Sequence, residues 1–107
     1  MSDTAIPSFD GRALINGERV AARDGQTFDC ISPVDGRLLT QVARCGQADI
    51  DAAVAAARAA FEDRRWAGQA PAARKRTMIK FAELIQANGD LLALTESLDM
   101  GKPVKYA

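Results

Sequence analysis

The 107 residues are 48% hydrophobic and 26% charged, and fourteen Lys and Arg balance fourteen Asp and Glu, leaving no net charge. That length allows one hydrophobic core and excludes two, and the charge balance excludes a general electrostatic pull toward nucleic acid or an anionic membrane. The sequence has no His, so the commonest general base and the commonest metal ligand are both missing.

Residues 1–12 carry Pro7 and Gly11 without apolar periodicity and read as a flexible arm. They also lack the basic start and apolar stretch of a secretory signal. Leu14 and Ile15 precede Asn16-Gly17, with Glu18, Arg19 and Val20 after it, which predicts a hairpin: both central residues of a type I′ turn need positive φ, and Asn and Gly tolerate it. Asp24-Gly25 marks a second turn, and residues 27–31 alternate like a strand with one buried face. Ser32-Pro33-Val34-Asp35-Gly36 is a third turn in which Pro33 fixes φ, and residues 38–43 form the last strand of what reads as one unfinished sheet. Cys30 and Cys45 are too few for a disulfide scaffold and lie far from a C-x-x-C spacing, so they read as half-buried reduced thiols, as in a cytoplasmic protein.

From Gly46 the pattern becomes helical. Ile50, Ala53, Val54, Ala57 and Phe61 fall on one arc about 100° wide, the face expected to pack. Asp49 and Asp51 sit where acids favour a helix N-terminus, and Arg58 and Glu62 form an i,i+4 pair on the opposite side. Pro71 suits the first position of a second helix, whose apolar face holds Met78, Phe81, Ala82 and Ile85. Arg74 shares that stripe, with its stem packed and its guanidinium on a surface acid, or else in a partly buried pair with Glu96 or Asp99. Asn88-Gly89 is read as a left-handed cap ending this helix, and Asp90 as the cap of a third with Leu91, Leu94, Thr95 and Leu98 on one face. Gly101 and Pro103 then stop that helix. The longest uncharged apolar run, in residues 52–57, is far short of the ~20 residues that span a bilayer.

Chemistry-bearing motifs are scarce. Met100-Gly101-Lys102-Pro103 lacks the upstream glycine and the Ser or Thr of a phosphate loop, and no G-x-G-x-x-G occurs. Without His, neither a Ser/His/Asp nor a Cys/His arrangement can be assembled, and a zinc site would have two thiols and scattered carboxylates. Cys45, just ahead of the first helix, is positioned as a nucleophile could be, but it has no possible base. Arg74, Lys75 and Arg76 point three ways around their helix, with Glu83 beside Lys80, which is a solvated helix face and not a recognition helix.

The ordered string carries more. Leu14-Ile15-Asn16-Gly17-Glu18, Ile31-Ser32-Pro33-Val34-Asp35-Gly36, Asp49-Ile50-Asp51-Ala52-Ala53-Val54, Ala59-Ala60-Phe61, Trp66, Arg74 and Glu96-Ser97-Leu98-Asp99-Met100-Gly101-Lys102-Pro103 follow one another without large gaps. From about residue 13 onward the chain resembles the N-terminal segment of the NAD(P)-dependent aldehyde dehydrogenase superfamily. The branch oxidising aminoaldehydes such as γ-aminobutyraldehyde is the nearest in look. The resemblance implies an α/β fold in which a flexible arm (1–12), short strands and turns (13–45) and a three-helix segment (46–107) form the first piece of a Rossmann-like cofactor-binding domain.

It also implies a parent enzyme that oxidises a small aldehyde to the acid with NAD or NADP through a cysteine thiohemiacetal. The family's catalytic cysteine, general-base glutamate, oxyanion-hole asparagine and most of its cofactor groove lie beyond this sequence. Cys30 and Cys45 do not occupy the catalytic motif. No catalytic or cofactor-binding residue is therefore assigned, and the chain is expected to be an N-terminal fragment, inactive alone and without bound cofactor. The parent is expected to be a cytoplasmic homo-oligomer with no nucleic-acid or membrane partner, and the fragment, with its faces bare, to self-associate. Many members also bind a monovalent cation through the acid of the Leu-Asp-x-Gly-Lys-Pro motif and a carbonyl near the Asn/Ser-Pro turn, here Asp99 and, approximately, Ile31. The alternative is that Asp99 only hydrogen-bonds a neighbouring turn. For the whole chain, the competing reading is a free-standing helical interaction module.

Overall fold

The computed structural model describes residues 6–107, so the first five residues of the arm lie outside the described part. Among the described residues there are four strands, three α-helices and one short 3₁₀ helix, Val104–Tyr106. β1 (Ala13–Ile15) and β2 (Glu18–Val20) pair antiparallel, with Ala13 opposite Val20 and Ile15 opposite Glu18. Their turn uses Asn16 at φ 55° and Gly17 at φ 77°, the two left-handed residues a type I′ turn requires. β3 (Thr27–Ile31) and β4 (Leu38–Ala43) form a second antiparallel pair whose register shifts between Cys30 and Ile31. The strands thus make two separate two-stranded sheets and not one unfinished sheet.

The described part of the arm has partners. The Phe9 carbonyl accepts from the Thr40 hydroxyl at 3.0 Å, and the Gly11 carbonyl accepts from the Ala43 amide at 2.8 Å. Backbone meets backbone so closely here that a Cβ on residue 11 would stand 1.9 Å from the Gln41 carbonyl oxygen, which only glycine avoids.

α1 (Gln47–Glu62) starts at Gly46, and the Asp49 carboxylate accepts from the Gly46 amide at 3.0 Å, one half of a capping box. Pro71 opens α2 (Pro71–Ala87) at its first turn. The Asn88-Gly89 reading requires correction. Asn88 has φ −108° and ψ 18° and serves as last cap of α2 and first cap of α3 (Gly89–Met100), so Gly89 is already helical and Asp90 lies in the first turn and is not its cap. The Asn88 side-chain amide donates to the Leu84 carbonyl at 2.8 Å, satisfying a terminal carbonyl without a left-handed residue. α3 itself ends on Gly101 at φ 81°.

The helix faces differ from expectation. In α1 the half-buried residues are Ala52, Ala53, Ala56 and Ala60. Of these, Ala53, Ala56 and Ala60 line the groove against Leu14 and Ile15 of the first hairpin. Alanines permit that close approach, but the larger side chains of the predicted arc, Ile50, Val54 and Phe61, remain exposed. Met78, Phe81 and Ile85 of α2 are exposed as well. Among the described residues Ala22 and Leu98 are the buried apolar side chains. The molecule measures 49 × 37 × 17 Å, and its radius of gyration is 17.5 Å, against about 13 Å for a compact domain of this length. Its accessible surface is 8178 Å², against roughly 5,800 Å² for a compact monomer of this mass. The length permits a core, but these residues form a thin slab without one.

Candidate functional site

The long-range polar contacts gather where the β3–β4 turn meets the end of α3. Ser32 is the most buried side chain of the described residues, at 1% exposure. Its amide donates to the Arg37 carbonyl and its carbonyl accepts from the Gly36 amide, both at 2.9 Å, which closes the turn. The hydroxyl donates to the Leu98 carbonyl of α3 at 2.5 Å and accepts from the Val34 amide at 3.3 Å. One residue after Leu98, the exposed Asp99 accepts a 3.5 Å hydrogen bond from the Cys30 thiol through one carboxylate oxygen. Partial burial, and behind it the adjacent Asp99 carboxylate, pushes the Cys30 thiol above its ordinary value, the opposite of what a nucleophile needs.

The two residues named for a cation thus come to one junction. Asp99 sits in the last turn of α3, and Ile31 ends β3 between Cys30 and Ser32, the residues that reach Asp99 and Leu98. A cavity of about 420 Å³ opens beside them, lined by Phe9, Cys30, Thr40, Thr95, Glu96 and Asp99 among others. Among the described residues no group of three or more Cys, Asp and Glu could hold a metal ion. The carboxylates at the cavity are those of Glu96 and Asp99.

Other sequence-based expectations separate at this point. Arg74 makes no ion pair with Glu96 or Asp99. Lys102 approaches Glu96 at 3.9 Å instead, and Asp99 faces Cys30. Arg58 and Glu62 do pair, at 3.9 Å. Cys45 is exposed and not half-buried, and both cysteines are free. Two residues carry more than their motifs suggested. Asp49, 4% exposed, bonds the Gly46 amide and also the Arg23 amide at 3.1 Å, tying α1 to the loop after β2. Ser32 does the corresponding work at α3. The serine of a Ser-Pro-x-x-Gly turn signals the local bond, whereas its partner 66 residues on leaves no trace in sequence.

Two hairpins, an alanine-faced helix and a hairpin–helix junction define an α/β layer. Compared with known families, residues 20–107 match the Aldehyde dehydrogenase family, and the chain belongs to it. Among curated proteins it is 41% identical over 100 residues to the NADP/NAD-dependent aldehyde dehydrogenase PuuC of Escherichia coli, spanning 94% of this chain and 20% of that protein. It is 47% identical over 94 residues to aminoacetaldehyde dehydrogenase of Pseudomonas aeruginosa, spanning 88% and 19%.

Among solved structures, the P. syringae indole-3-acetaldehyde dehydrogenase in complex with NAD+ and IAA superposes with a TM-score of 0.86 at 55% identity, over 96% of this chain and 20% of that one. The γ-glutamyl-γ-aminobutyraldehyde dehydrogenase of Burkholderia cenocepacia does so at 0.87 and 50%, with the same coverage. The fold is therefore that of the aldehyde dehydrogenases, and the chain spans about a fifth of the length of the relatives it matches. No helix among the described residues is long and apolar enough to cross a membrane.

Proposed function

We propose that this chain is the N-terminal scaffold of a cytoplasmic enzyme that oxidises an aldehyde to a carboxylic acid with NAD or NADP, and that none of its own residues makes or breaks a bond. The observation that carries this reading is the slab itself. Family membership comes with exposed apolar faces on α1 and α2, and the relatives are far longer than this chain. The nicotinamide cofactor would accept the hydride, and no residue here is assigned to hold it. Apolar faces of this extent normally lie against other protein. We take the rest of the enzyme as their partner and self-association of the isolated chain as what happens without it, so sedimentation of the 107-residue chain should show species above monomer.

Within the family we place the substrate among aminoaldehydes. Support comes from the similarity to aminoacetaldehyde dehydrogenase and γ-glutamyl-γ-aminobutyraldehyde dehydrogenase. Asp99 and the Ile31 carbonyl are read as ligands of a monovalent cation, supported by the Asp99 carboxylate lying against Cys30, the residue before Ile31.

The test is an absorbance assay of cofactor reduction on two polypeptides, the 107-residue chain and the product of the reading frame continued past Ala107. The short chain should show no turnover, and the longer one should reduce cofactor with an aminoaldehyde faster than with an indolic aldehyde. Turnover that co-purifies with the short chain would overturn the reading. A stop codon directly after Ala107 would favour the interaction module instead.

A further inference from the structure

We propose that Ser32 is a positioning residue that registers the last turn of α3, and with it Asp99, on the β3–β4 hairpin. Its consequence for cation binding rests on the reading of Asp99 and Ile31 as ligands, but the positioning role itself does not.

The inference starts from what the end of a helix lacks. The last carbonyls of α3 have no partners within the helix and must find them elsewhere. The Ser97 carbonyl is taken by the Gly101 amide at 2.9 Å, within the C-cap. The next one, Leu98, is taken by a side chain from 66 residues away, the Ser32 hydroxyl at 2.5 Å. A hydroxyl has one proton to give, and the Ser32 oxygen already accepts from the Val34 amide, so its single donor is committed to α3. The Ser32 amide and carbonyl are committed as well, to Arg37 and Gly36 across the turn. Every polar atom of this buried residue is thus used, three bonds inside the hairpin and one outside it.

A residue so fixed transmits the geometry of the turn to the helix end. The neighbouring contact, from the Cys30 thiol to Asp99 at 3.5 Å, is long and weak, and Asp99 is exposed, so that contact by itself does not hold the carboxylate in place. The Ser32–Leu98 bond is the buried one of the two. Removing its donor leaves a buried carbonyl unpaired, and the helix end is then expected to drift from the hairpin.

The test is a double-mutant cycle in a Cys45→Ser background, where Cys30 is the one thiol left. The rate of Cys30 alkylation by iodoacetamide is read at one fixed pH. Ser32→Ala and Asp99→Ala should each raise the rate about twofold, the worth of a hydrogen bond at the weak end of the usual range, and the double variant should add little to either. A rate unchanged in Ser32→Ala, or effects that multiply in the double variant, would show that Ser32 does not act through Asp99. Asp49→Ala, which removes the bonds to the Gly46 and Arg23 amides and touches neither β3, β4 nor α3, serves as the folding control: it should lower the melting temperature while raising the alkylation rate far less than Ser32→Ala, and an equal rise would assign the Ser32 effect to general loosening. Separately, thallium(I) binding is followed by its nuclear resonance. Tight binding that survives Asp99→Ala would end the cation reading alone, and the alkylation cycle would still decide the role of Ser32.

Discussion

The helical layer is the richer of the two in apolar residues, yet the hairpin junction is the more finished. Around β3, β4 and the end of α3, contacts reach 31 residues from Thr40 to Phe9 and 66 from Ser32 to Leu98, and the buried polar atoms are paired. In α1 and α2, Val54, Phe61, Met78 and Phe81 are each more than half exposed, and the contacts that shape those helices are largely their own. The first region carries its own register. The second leaves its larger apolar side chains in the open. Local regularity alone therefore does not tell which face of a helix is already covered.

The comparison breaks most severely at Gly11. In Gly11→Ala the new methyl would meet the Gln41 backbone, which cannot yield as a flexible side chain could, so the cost should be about 3 kcal/mol, seen as a fall of roughly 10–15 °C in melting temperature. An equal substitution at Gly46, where a Cβ would meet nothing within 4 Å, should cost far less. Next comes Asp49→Ala. It leaves the Gly46 and Arg23 amides without their carboxylate and should cost about 2 kcal/mol in urea unfolding.

The smallest effect concerns pH. Asp10, Asp35 and Asp63 are held below the usual carboxylate range, first by side-chain hydrogen bonds from Arg12, Arg37 and Arg65 respectively, then by the amides of those same residues. A depressed folded value gives stability that is present above the ordinary carboxylate value near ~4 and lost as pH falls through the depressed one. The pairs are exposed and only two residues apart, so much of each can form in the unfolded chain. Acid titration of the melting temperature below pH ~4 should therefore change little on Arg12→Gln. A large change would mean that these pairs belong to the tertiary structure.

What was legible in the sequence follows the same division. Asn16-Gly17, Pro71 and Gly101 declare themselves because the need for left-handed or fixed φ is written in one or two residues. Asn88-Gly89 has the same signature but resolves differently, because the Asn88 side chain can itself satisfy the Leu84 carbonyl. The arc of Ile50, Val54 and Phe61 is a genuine apolar face, but periodicity identifies a face without naming what covers it. Ser32 and Asp49 were legible only as turn and cap residues. Their longer bonds, to Leu98 and Arg23, depend on elements brought together by folding. Asp99 and Ile31 were singled out by family resemblance alone; the bonds at this junction run from Cys30 to Asp99 and from Ser32 to Leu98.

The difference between the two regions is tested most directly by residue-resolved amide hydrogen exchange on the 107-residue chain, kept dilute enough to stay monomeric. The amides of β3, β4 and the last turn of α3 should exchange together and slowly, while those of α2 exchange orders of magnitude faster. Uniform protection across both, with α2 as slow as the hairpin, would mean that the helical layer is already complete and would contradict the account.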